Sequence, residues 1–161
     1  MDPTLPRIGH VHLTVSHIGR AVEFYTELLG MDVTEKYHDG SAVFMSYGGY
    51  HHHVAVNVWA GEGAKPPARG HTGLYHFALL YPSRKELAKV VQRLIDAKYP
   101  LTGAADHGVS ESVYISDPDG NGIELTVDRP REQWPREKNG SIRMEVLPLD
   151  LDALLDELKK K

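Results

Sequence analysis

The stretch Ile8-Gly9-His10-Val11-His12-Leu13-Thr14-Val15 alternates strictly, with Val11, Leu13 and Val15 on one side and His10, His12 and Thr14 on the other. Such period-two alternation marks a half-buried strand. Ser16 then precedes a segment in which Ala21, Phe24, Leu28 and Leu29 recur at helical spacing, and Gly30 supplies a C-terminal stop. Three further strand candidates follow: MDVTEKY (31–37), AVFMSY (42–47) and HHHVAVNVW (51–59). They are separated by the turn pairs Asp39-Gly40 and Gly48-Gly49. The predicted order is β-α-β-β-β.

Residues 61–73 carry glycines, adjacent prolines and two basic residues, Lys65 and Arg69, without periodic apolar positions, and read as a linker. The pattern then begins again. Tyr75 to Tyr81 is a strand, and Pro82-Ser83 leads into a helix predicted to bury Leu87, Val90, Val91, Leu94 and Ile95. Short strands are expected at 101–103, 112–116 and 123–127, the last two joined by Asp117-Pro118-Asp119-Gly120. The second unit is again β-α-β-β-β, and VFMS at 43–46 answers VYIS at 113–116. The expected architecture is α+β: two βαβββ modules, about 7–60 and 73–128, forming one domain over 1–161 with a cupped mixed sheet and helices on its outer face. After a polar, proline-bearing stretch, Leu151, Leu154, Leu155 and Leu158 form a helical stripe ending in Lys159 to Lys161. This tail helix, about 150–160, is expected to dock on the back of the sheet or on a partner.

Composition narrows the function. With 161 residues, 41% hydrophobic and 25% charged, the chain has ordinary globular character. Eighteen Lys and Arg against 22 Asp and Glu, without a basic block, argue against a nucleic-acid partner. No apolar run is long enough to span a bilayer, and the opening MDPTLPRIGH lacks signal-peptide character, so a cytoplasmic protein is expected. There is no cysteine, so any bound metal must be held by imidazole and carboxylate, and there are ten histidines.

Alternation gives each strand an apolar and a polar face. The polar face collects His10, His12, His53, Ala55, Asn57, His76, Tyr114, Glu124 and Thr126. His10 opens the first strand of one half as His76 opens that of the other, and His53 is read as the counterpart of Glu124. His10, His76 and Glu124 form the predicted ligand set, two imidazoles and one carboxylate on one face of a divalent cation. In the run His51-His52-His53, alternation turns His51 and His53 toward the polar face and His52 behind it, unless a bulge exchanges them. His107, Glu111 and Tyr114 are candidate supporting donors or acid–base groups. Phe44, Tyr47, Tyr50 and Trp59 are candidates for an aromatic pocket.

The motifs GHVHLTV (9–15), RAVEFYTELLGM (20–31), LYHFALLY (74–81) and DPDGNGIELTV (117–127), in this order and spacing, resemble the vicinal oxygen chelate superfamily of glyoxalases, bleomycin-resistance proteins and extradiol dioxygenases. GGYHHHVAVNVW (48–59) and DHGVSESVYISDPDGNGIEL (106–125) look most like its catechol 2,3-dioxygenase-like branch. The resemblance implies a divalent metal at His10, His76 and Glu124, Fe(II) as the first choice, with Zn, Ni, Mn or Co as the others. It implies an acid–base histidine at His53 or His52, and His107 and Tyr114 holding a catecholate, Tyr114 standing ten residues before Glu124. The implied reaction is extradiol cleavage of a catechol-like aromatic by O2, in a chain that pairs as a homodimer. The alternatives are a metal-dependent lyase or isomerase of the glyoxalase or epimerase type, for which Glu111 is the available base, and a drug-binding resistance protein.

Overall fold

The computed structural model describes residues 4–68 and 70–160, so Pro3, Arg69 and Lys161, which entered the readings of the lead, linker and tail, lie outside the described residues. The chain forms two compact units, Met1–His71 and Thr72–Lys161.

In the first unit, strand β1 (Val11–Thr14) is followed by helix α1 (Ile18–Glu23), which runs on as a π-helical turn over Phe24–Leu28. Strands β2 (Asp32–Lys36), β3 (Ala42–Ser46) and β4 (Val54–Asn57) complete the sheet in the order β1-β4-β3-β2. β1 and β4 run parallel and the other pairs antiparallel. The wide turn, closed by the Leu29 amide donating to Phe24 O at 3.3 Å, turns Tyr25 as well as Phe24 and Leu29 into the core. Leu28, expected there, is only half-buried. These side chains are buried together with Leu13, Val15, Val43, Met45, Val54 and Val56, while Val11, which alternation set beside Leu13 and Val15, is only half-buried.

The second unit repeats the plan with β5 (His76–Leu80), α2 (Arg84–Asp96), β6 (Gly103–Asp106), β7 (Ser110–Ser116) and β8 (Gly122–Asp128). A two-residue strand β9 (Leu147–Pro148), which the sequence did not reveal, extends the sheet to β5-β8-β7-β6-β9. Ser83 caps α2 by accepting the Glu86 amide, and Leu87, Val90, Val91 and Leu94 are buried on the face toward the sheet. Ile95 departs from expectation: at 40% exposure it has rotated past the edge of the apolar stripe. The β7–β8 turn is built by Asp117, whose Oδ1 accepts the amides of Asp119 and Asn121, while Gly120 takes φ +86°. That turn sets the register on which Glu124 depends.

The tail helix α3 (Leu151–Leu155), capped by Asp150, gives way to a 3-10 turn over Asp156–Lys159. It docks on α2 rather than on the sheet: Leu154 is fully buried, Arg84 Nη1 pairs with Glu157 at 2.6 Å, and Lys85 Nζ donates to Lys160 O. The physical reason is that α2 already covers the sheet's apolar face, leaving its own flank as the surface to bury.

The ladder registers also correct one correspondence between the halves. In β1–β4, His12 lies opposite Ala55; in β5–β8, Ala78 lies opposite Glu124. With His10 matched to His76, the counterpart of Glu124 is therefore Ala55, and that of His53 is Gly122. The expected match to His53 fails because the β3–β4 turn is one residue longer than the β7–β8 turn, not shorter: Phe44 pairs with Ala55, and Tyr114 with Glu124.

Candidate functional site

Within the second unit, β5, β7 and β8 bring three predicted residues, His76, Tyr114 and Glu124, onto the polar face. Tyr114 sits opposite Glu124 in the β7–β8 ladder, and His76 begins β5 beside Gly122. His76 Nε2 lies 3.0 Å from Glu124 Oε2. The other carboxylate oxygen, Oε1, accepts from Ser112 Oγ at 2.6 Å and lies 3.2 Å from Tyr114 Oη. His107, at the β6–β7 corner, places Nε2 2.6 Å from Tyr114 Oη, while its Nδ1 meets the Glu145 carbonyl at 2.7 Å. Burial, then the neighbouring Glu124 charge, pushes the Tyr114 phenol above its ordinary pKa. Tyr114 is thus a neutral O–H group. Ser112, missed in the sequence, shares its face with Tyr114 by alternation, and that signal would have found it.

This arrangement fits a cation on chemical grounds. Two ligands at right angles around a divalent metal, each about 2.1 Å from it, stand about 3.0 Å apart, as His76 Nε2 and Glu124 Oε2 do. Ser112 donates to Oε1 and leaves Oε2 directed at the imidazole. Among the described residues, no three histidine, aspartate or glutamate side chains converge as a ready-made cation cage. His76 and Glu124 meet, and His10 belongs to the first unit.

There, His10 stands at the head of a cluster of imidazoles. The His52 ring is centred 4.3 Å from His10, 5.1 Å from Phe44 and 4.5 Å from His51. His52 thus faces His10, contrary to the alternation reading, because β4 begins only at Val54 and the preceding residues follow the Gly48-Gly49 turn. His53 keeps its backbone in the ladder: its amide donates to Met45 O and its carbonyl accepts from Val11 N. Its ring is tied back, with Nδ1 2.8 Å from Ser46 Oγ and accepting the Tyr47 amide at 3.3 Å. Burial, followed by the His10 and His51 charges, holds His52 below the ordinary histidine pKa. Burial, then His51 and Arg7, does the same to His53. Both favour the neutral, proton-accepting form.

Of the aromatic candidates, Phe44 and Trp59 flank His12, at 6.0 and 5.1 Å between rings. Tyr47 donates to Leu29 O, and Tyr50 stacks on His51 and His53, so these two brace the strand ends. Glu111 is not among the polar-face groups. It points to the opposite, helix-covered face with Val113 and Ile115, is 5% exposed, and pairs with Arg84 at 2.7 Å and Arg129 at 2.8 Å. Alternation from Tyr114 places it there.

Comparison with known proteins agrees with these motifs. The family model described as Glyoxalase/Bleomycin resistance protein/Dioxygenase superfamily matches residues 7–125. A catechol-2,3-dioxygenase of Bacillus subtilis (strain 168) is 40% identical over 151 residues, 93% of this chain and 51% of that protein. A biphenyl-2,3-diol 1,2-dioxygenase of Rhodococcus globerulus is 30% identical over 123 residues, 76% of this chain and 64% of its own length. The chain thus spans between about half and two-thirds of these relatives. A solved glyoxalase/dioxygenase structure from Nostoc punctiforme shares the fold, with a TM-score of 0.65 at 20% identity over 81% of this chain and 96% of that one. Among the described residues no helix is long and apolar enough to cross a membrane. By its motifs, its repeated module and this family match, the chain belongs to the glyoxalase/bleomycin resistance protein/dioxygenase superfamily.

Proposed function

We propose that the chain acts as a metal-dependent extradiol-type dioxygenase that opens the ring of a catechol-like aromatic, with His10, His76 and Glu124 as the ligands of Fe(II). The observation that carries this reading is the linkage of His76, Glu124, Tyr114 and His107 on one sheet face, with a hydroxyl and an imidazole beside the carboxylate. When bound, the metal supplies chelation of both substrate oxygens and a position for O2. Tyr114 Oη and His107 Nε2 hold one substrate oxygen and its proton. A neutral imidazole from the first unit, His52 or His53, accepts a proton and returns it during ring opening.

Two observations separate this reading from the lyase and isomerase chemistry of the same superfamily. The position in the first half that answers Glu124 holds Ala55, so the strand offers no additional carboxylate ligand. Glu111, the base that chemistry would use, is engaged by two arginines on the other face. The test is oxygen uptake by protein reconstituted anaerobically with Fe(II), against a panel of catechols, with absorbance detection of a yellow ring-cleavage product. Uptake abolished in His76→Ala and Glu124→Ala is the expected result. Metal-loaded protein that turns over a substrate equally well with Zn or Ni and consumes no O2 would overturn it.

A further inference from the structure

The His107 side chain is held by a part of the chain beyond residue 125, where the matched family model ends. Glu145 grips His107 twice: its amide donates to His107 O at 3.0 Å, and its carbonyl oxygen faces His107 Nδ1 at 2.7 Å. A carbonyl only accepts, so Nδ1 carries a proton. In the neutral ring Nε2 is then bare, and the 2.6 Å contact to Tyr114 is the phenol donating to the imidazole.

The segment that delivers Glu145 is anchored by polar contacts more than by apolar burial, since Met144, Val146 and Leu147 are exposed. β9 pairs with β6 through Asp106 opposite Leu147 and Ala105 opposite Pro148. The Arg143 amide donates to Pro135 O, and its side chain pairs with Glu145. Pro135 in turn lies against Gly108, at φ +73°, where a β-carbon would come within 2.8 Å of the proline ring. Asp106 accepts the Gly108 amide and is clamped by Arg129, closing the corner from which His107 projects.

We propose that the segment 143–148 is a positioning element of the candidate site: its Glu145 carbonyl selects the Nδ1–H tautomer of His107 and so aims the Tyr114 hydroxyl proton at His107 rather than at Glu124. The inference rests on the reading of Tyr114 and His107 as substrate-holding groups, but its test does not. A free histidine in water prefers the Nε2–H tautomer, so the arrangement requires the strap to hold the ring against that preference.

The experiment is nitrogen-15 NMR of the full chain labelled at histidine, metal-free, at about pH 8, above the ordinary histidine pKa of about 6.5. The His107 signals are assigned by their disappearance in His107→Gln. Nδ1 is expected to show the protonated, pyrrole-type shift in the wild type and also in Tyr114→Phe, since the carbonyl and not the phenol sets the tautomer. Glu145→Pro, which removes the amide anchor, is expected to move His107 toward the Nε2–H form. Gly108→Ala, which displaces Pro135, gives the same readout if the proline variant does not fold. An Nε2–H signal in the wild type, loss of the Nδ1–H form in Tyr114→Phe, or an unchanged tautomer in the folded strap variants would each overturn the proposal. A protein with the expected tautomer and no ring-cleaving activity would sink the dioxygenase reading and leave this one standing.

Discussion

Replacing Glu111 by Gln separates a structural carboxylate from a chemical one. The side chain accepts two charge-assisted hydrogen bonds, from Arg84 Nε at 2.7 Å and Arg129 Nη2 at 2.8 Å, and bonds of that kind contribute about 1.5–3 kcal/mol each. Three features bring the expected loss below the roughly 3–5 kcal/mol of a broken buried ion pair. Arg84 keeps Glu157 and Arg129 keeps Asp106, both at 2.6 Å, so neither guanidinium is orphaned. Both arginines are about one-third exposed, so water shares in their solvation. The glutamine carbonyl retains one acceptor. The expected cost is about 2 kcal/mol, or roughly 4–8 °C in Tm for a chain of this length. Urea unfolding in a Trp59→Phe background isolates the second unit, because Trp134, whose Nε1 donates to Arg129 O, is then the fluorescent reporter. Turnover and metal content should stay at wild-type values, since Glu111 lies on the sheet face opposite Glu124. A loss of stability below about 0.5 kcal/mol would refute the buried-pair reasoning. A collapse of turnover in a fully stable variant would make Glu111 a chemical group after all.

Gly122→Ala is expected to displace His76, because a β-carbon there would press into the Tyr75 carbonyl oxygen and stand 3.0 Å from the His76 β-carbon. Metal titration followed by calorimetry should show affinity reduced by at least tenfold, and an unchanged affinity would show that the strand absorbs the intrusion. Asp106 titrates below its ordinary 3.8: burial pushes its carboxyl up, but the Gly108 amide and Arg129 outweigh it. A depressed folded-state pKa contributes stability above the unfolded value that disappears as pH falls through the lower folded one. The wild type should therefore lose stability below about pH 4, and thermal melts of Asp106→Asn should be lower at neutral pH but flatter across that window; parallel curves would contradict this. His53→Ala should leave bound metal unchanged, as the ring is turned back to Ser46 and Tyr47. Metal loss in that variant would make His53 a ligand.

The alternation at 8–15 and its return at 75–81 determined the repeated module, and alternation within β7 and within β8 put Tyr114 and Glu124 each on the polar side of its own strand, because a pleated strand reverses its side chains at every residue. The same arithmetic placed the cores of both sheets. It failed where the chain leaves the ladder. His51 to His53 precede β4, so a turn rather than the pleat decides that His52 faces His10 and that His53 is tied to Ser46. Periodicity within one strand also could not say which residue of the first half answers Glu124; that required the register between strands, which identified Ala55. Glu111 reads as an acid near a reactive group until its arginine partners are seen, one of them on a helix 27 residues away. The tail lay furthest beyond the sequence. Its leucine stripe announced a helix, but the grip on His107, 38 residues away in the chain, uses only the backbone amide and carbonyl of Glu145, groups that every non-proline residue carries, and only the folded path of the chain brings them to the imidazole.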